Sequence, residues 1–232
     1  MTVPTLRTRS LSLGAAALSV SLAVAGALAL SREAPAGPPA AQHYRVTITN
    51  VTRGQIFSPA VVVTHSDAAS LFALGSPASA GLAQLAEEGD ASGVVAMMSA
   101  NPEVTDVTVD EGGALMPGAT TSVMIRGKPT DLVSVAGMLV STNDAFYAVA
   151  GAPTPQHGAE TRRASAYDAG SEANSEDCAY IPGPPCGNGG AHDPAVAEGY
   201  VHVHAGVHGI GSLDAAQLDW RGAVAVVRIE RL

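Results

Sequence analysis

Short runs of β-branched and apolar residues recur along this chain, each closed off by Gly, Pro or Asn, and this punctuation leaves little room for long helices. Residues 44–50 (YRVTITN) alternate apolar and polar side chains, the mark of a strand buried on one face. Residues 60–64 (AVVVT) form a continuous apolar run, which suits a strand covered on both faces. Residues 104–109, 120–125, 132–140, 146–150, 200–204 and 223–230 have strand character too. Gly112-Gly113, Pro117-Gly118 and Gly127-Lys128-Pro129 supply turns among them. Strands and turns at this spacing predict an antiparallel sandwich or barrel. Residues 79–89 (SAGLAQLAEEG) have helical spacing, with Ser79 to cap the start and Gly89 to end it; residues 94–98 predict one more helical turn. Residues 151–199 lack periodicity and carry the turn clusters 182–185 (PGPP) and 187–190 (GNGG), so they are predicted to be irregular.

The N-terminal segment predicts export. Arg7 and Arg9 precede an uncharged run from Leu11 to Leu30, with small-residue sites at Ala27-Leu28-Ala29 near its end and Ala34-Pro35-Ala36 after it. Residues 1–36 are therefore assigned as signal peptide and cleavage region, residues 37–42 as a short linker and residues 43–232 as the domain. Ser and Gly dilute the run, so cleavage is preferred to a retained anchor, and no membrane attachment is expected afterwards. A secreted, extracellular or periplasmic location follows.

Hydrophobic residues make up 47% of the chain and charged residues 14%, which excludes a disordered acidic tail. Twelve basic against 21 acidic residues give a net charge of −9, which argues against nucleic-acid binding and favours attraction of cations. Cys178 and Cys186 are the only cysteines; in an exported chain the even count predicts a structural disulfide, and the spacing is not that of a CxxC redox pair.

Five segments resemble the spondin N-terminal domain, in particular its bacterial branch. They are residues 44–59 (YRVTITNVTRGQIFSP), 82–90 (LAQLAEEGD), 141–149 (STNDAFYAV), 167–186 (YDAGSEANSEDCAYIPGPPC) and 198–229, which begins EGYVHVHAGVHGIG. The similarity spans about residues 43–231. It implies an all-β fold: an eight-stranded antiparallel β-sandwich of C2-like character, with one or two short helices. It also implies a calcium ion at one end and adhesion to a cell-envelope or extracellular-matrix component, without catalysis. Asp144 matches the acid of the family's first calcium loop, although Ala145-Phe146 stands where the animal proteins have Trp-Phe. Asp168 and Glu172 match the acidic pair of the second loop. Calcium takes six to eight oxygens, which three carboxylates, backbone carbonyls and water can supply. From residue type alone, simply solvated acids in exposed loops are the preferred reading. Glu176 and Asp177 read as surface charge or spare ligands.

The histidines offer an alternative. His202 and His204 share a face if the strand is regular, and His208 and His192 lie nearby in sequence. Such a cluster suits an exported zinc- or copper-binding protein or a metalloenzyme, with Glu198, Asp193 or Asp219 completing the site. The competing reading has these imidazoles bonded to loop backbone on the polar outer face of a strand. No GxSxG elbow and no strand–GxGxxG–helix pattern is present. Asn50-Val51-Thr52 is a formal glycosylation sequon within a predicted strand.

Overall fold

The computed structural model describes residues 40–232. The signal peptide assigned to residues 1–36 and the first part of the linker lie outside the described residues. Twelve elements follow in order: β1 (Gln42–Asn50), β2 (Val61–His65), α1 (Ala80–Glu88), α2 (Ser92–Ser99), β3 (Val104–Val109), β4 (Thr120–Gly127), β5 (Leu132–Met138), β6 (Ala145–Pro153), β7 (Ala159–Asp168), β8 (His202–Val203), α3 (Ala215–Leu218) and β9 (Ala225–Arg231).

The fold is all-β with three helices, and every strand pairing is antiparallel. The strand order is β3-β2-β5-β6-β7-β9-β1-β4, with β8 on β7. Eight strands are expected; nine are present among the described residues. Residues 159–164 of β7 pair with β9, and residues 165–168 pair with β6. One long strand thus passes from one layer of the sandwich into the other. At the opposite seam, Arg126 N–H of β4 donates to Asp106 Oδ2 of β3 at 2.9 Å, so the sheet is nearly closed into a barrel.

The location of β7 corrects the expectation of an irregular segment over residues 151–199. Its buried face is carried by Ala164 and Ala166, while Thr161, Arg162 and Arg163 are exposed. Alanine carries little of the β-branched signal that marks a strand. The second helix is longer than the predicted turn. The short α3, capped by the Asp214 side chain on Ala216 N–H, has no counterpart among the predicted elements.

All five residues of β2 are buried, as the apolar run predicts. Val62 enters the core between the layers, with Tyr44, Ile48, Phe57, Tyr147 and Ile229. Val61 and Val63 face the other way, beneath Leu82, Leu85 and Met98 of the helices. Phe57 and Tyr147 stack at 4.3 Å between ring centroids. Each such buried side chain contributes about 1.5–3 kcal/mol of apolar burial. α1 forms where expected: Ser79 Oγ accepts from Leu82 N–H, and Gly89 ends the helix at φ 70°. The sequon asparagine is part of the interior, since Asn50 Nδ2 donates to the carbonyls of Gln55 and Leu115.

Cys178 and Cys186 are joined by a disulfide. The enclosed loop is tied to the start of the 141–144 turn: Gly183 N–H donates to Val140 O at 2.7 Å, and Ser141 Oγ–H to Pro184 O at 2.6 Å. Removing the bridge as Cys178→Ser with Cys186→Ser is expected to cost about 2–3 kcal/mol at most, because Pro and Gly already restrict so short a loop. Urea denaturation of the oxidised chain against the double variant measures this.

Candidate functional site

Three segments meet at one end of the sandwich: the turn 141–144 before β6, the loop after β7, and the stretch around β8. The register positions them. Ala145 pairs with Asp168 across β6 and β7, and Asp168 pairs with His202 across β7 and β8. The first two acids implied by the resemblance are therefore neighbours, and His202 stands directly across from one of them.

Asp144 is fully buried. Its Oδ2 accepts from Ser171 N–H at 2.8 Å and Glu172 N–H at 3.1 Å. Its Oδ1 is buried without a hydrogen-bond partner. Burial, and then the charge of Asp168, push its carboxyl from 3.8 up to about 7. Asp168 is also fully buried; Oδ1 accepts from Gly170 N–H at 2.7 Å, and Oδ2 accepts from Asn174 Nδ2 at 2.5 Å. The basic groups within ion-pair reach of Asp168 are imidazoles, His202 at 3.6 Å and His204 at 3.9 Å. Two buried carboxylates thus share one end of the fold without a Lys or Arg ion-pair partner among the described residues.

Glu172 contributes its backbone to Asp144, but its carboxylate is engaged elsewhere. It accepts from Asp193 N–H and lies near Glu87 and His192, and burial is the main cause that raises it to about 7. Asp168, Glu198 and His202 instead form a compact group, one ligand atom from each lying within 4.8 Å of the others. This group could hold a metal ion.

Of the four sequence-flagged histidines, only His202 belongs to that group. His192 pairs with Glu87 at 3.0 Å and Glu88 at 3.6 Å, at the C-terminal end of α1. The His204 side chain is nearly buried; burial is the main cause that lowers it to about 4, so it is neutral at ordinary pH. The regular alternation expected over residues 200–204 fails because β8 is only two residues long: Val203 is exposed and the His204 side chain is turned inward. His208 is exposed, and its backbone N–H donates to Glu176. Asp193 and Asp219 serve backbone groups, at Ala195 and Val207 respectively.

Glu176 is not surface charge. It is buried, adopts φ 55°, and its carboxylate accepts from the N–H groups of His208 at 2.5 Å and Ile210 at 2.9 Å. It fixes the loop that walls a cavity of about 240 Å³ beside Asp168, Glu198 and His202. Asn174, which sequence reasoning missed, bridges Asp168 and Glu198; an amide in a polar loop carries no local signal of such a role.

No protein-family model matches the chain, and no curated protein matches it. Among the described residues, no helix is long and apolar enough to cross a membrane.

Proposed function

We propose that the chain is an exported, non-catalytic binding domain of the spondin type, held in its working shape by calcium at the Asp144–Asp168 end. The observation that carries this reading is the orphaned Asp144 Oδ1, buried in a fully buried carboxylate beside a second one. An unpaired buried charge is costly, and a hard cation removes that cost. The donors are oxygens from Asp144 and Asp168, with backbone carbonyls and water completing the shell because the Glu172 carboxylate is turned toward Asp193. Bound calcium supplies positive charge that ties the 141–144 turn to the loop after β7. The ordered loops then present a surface to a cell-envelope or matrix component. The all-β fold, the disulfide and the five resembling segments support the same reading.

The test is a melt of the purified chain in EDTA and after calcium is returned, paired with titration calorimetry. Calcium is expected to bind at one equivalent and raise the melting temperature, and Asp144→Asn is expected to abolish both effects. Binding that survives Asp144→Asn unchanged would place the ion elsewhere and end this reading.

A further inference from the structure

His202 is held in one tautomer. Its Nδ1 lies 3.1 Å from the carbonyl oxygen of Val203, which can only accept, so Nδ1 carries a proton. In the neutral ring, Nε2 is then a bare lone pair, and it faces Asp168 Oδ1 at 3.6 Å. The Glu198 carboxylate closes the same group. Three electron-rich atoms converging on one point repel each other unless a cation stands among them.

The surroundings are built to hold that arrangement. His204 Nδ1 accepts from Gly206 N–H at 2.9 Å, which puts the ring proton on Nε2. Nε2–H donates to Asn174 Oδ1 at 3.1 Å and so fixes which way the amide faces. Asn174 Nδ2 then donates to Asp168 Oδ2 at 2.5 Å and to Glu198 Oε1 at 3.3 Å. A buried ring thus orients an amide, and the amide orients two carboxylates, as outer partners do around metal ligands. A separate observation points to the same space. Asn143 is buried, its Nδ2 has no hydrogen-bond partner, and it lines the cavity onto which Asp168, Glu198 and His202 also open.

We propose that Asp168, Glu198 and His202 form an outer site for zinc, with one coordination position open to the cavity. Imidazole nitrogen suits zinc and not calcium, and zinc is held by three protein ligands with a fourth position left to water or another ligand in its open sites. A ligand oxygen at the open position has the Asn143 amide as a donor lining the same cavity. The outer site shares Asp168 with the proposed calcium site but does not include Asp144, which does not line the cavity. The two sites are therefore separable by mutation.

The experiment strips the purified chain with EDTA, returns zinc or cobalt(II), and reads metal content after desalting together with the cobalt absorption spectrum. One equivalent of zinc is expected, along with cobalt bands that shift when free imidazole is added. His202→Ala and Glu198→Gln should lose stoichiometric zinc while keeping the calcium-induced rise in melting temperature. Asn174→Ala should weaken zinc on the order of 10- to 100-fold. Asp144→Asn should keep zinc and lose the calcium effect. Melts of each variant in EDTA report whether it folds; Glu198 is exposed and His202 half-buried, so these two variants should. Substoichiometric zinc in the parent chain, or zinc retained in His202→Ala, would overturn the proposal. So would two ring protons on His202 at neutral pH by nuclear magnetic resonance, because an imidazolium paired with Asp168 would then fill the role given to the metal. A parent chain that binds zinc but shows no calcium effect would instead count against the function proposed above.

Discussion

Gly170→Ala is expected to destabilise the chain by about 2–5 kcal/mol, through left-handed backbone strain added to a steric clash. Gly170 sits at φ 65°, and a Cβ there would meet the backbone of Tyr200, with the amide nitrogen at 2.6 Å and the carbonyl oxygen closer still. Backbone cannot swing aside as the tip of a side chain can. Relief must come from moving residues 199–202 away from the loop after β7, which separates His202 from Asp168. Zinc affinity should therefore fall together with stability. Gly199→Ala is the matched control: Gly199 has φ 81°, but a Cβ at that position would have nothing within 4 Å, so it should show the backbone strain alone, about 1–2 kcal/mol. Urea denaturation and zinc titration of the two variants decide the matter, and equal losses in both would refute the role given to the close approach.

The second large effect is a pH dependence that calcium reverses. In the cation-free chain, Asp144 is pushed up to about 7 and Glu172 also to about 7. Both acids hold protons in the folded state that the unfolded chain has already released. The stability they contribute is full below their unfolded values near 4 and is lost as pH rises through about 7. His204 acts in the opposite sense, because burial lowers it to about 4; its contribution is present above about 6.5 and is lost as pH falls toward 4. Between about pH 6.5 and 8 only the acids operate, so the melting temperature in EDTA should fall across that interval. Calcium should oppose the fall, because it needs Asp144 ionised. At a thousandfold excess over its dissociation constant, it should add about 4.1 kcal/mol at the alkaline end. For a domain of this size that amounts to about 8–16 °C. Near pH 5.5 the calcium shift should be small, since protons occupy the ligand. Melts at three pH values, with and without calcium, test this; Asp144→Asn should flatten the calcium response, and a shift independent of pH would contradict it.

How much of this is legible in the sequence depends on how local the signal is. Alternation in residues 44–50 and the run at 60–64 announce β1 and β2, because burial on one or two faces is written into neighbouring side chains. β7 escapes notice because its inner face is made of alanines. The acids of the two loops are found through the resemblance, and Asp144 and Asp168 do lie together. Glu172 turns toward Asp193, which no spacing rule foretells. The pairing of Asp168 with His202 depends on a ladder of two residues, and the roles of Asn174 and Glu176 exist only once distant loops meet. These are tertiary facts, fixed by register and not by residue type.

β9 lies between β7 and β1, in the interior of the sheet, although it follows every other strand in the chain. Until residues 225–231 are in place, β1 has only β4 beside it, and residues 159–164 of β7 have no partner along that edge. A chain emerging from its N-terminus therefore cannot complete its sandwich early. The seven residues of β9 join two edges that would otherwise stay open, so the two halves of the sheet become one only when the last strand is laid down.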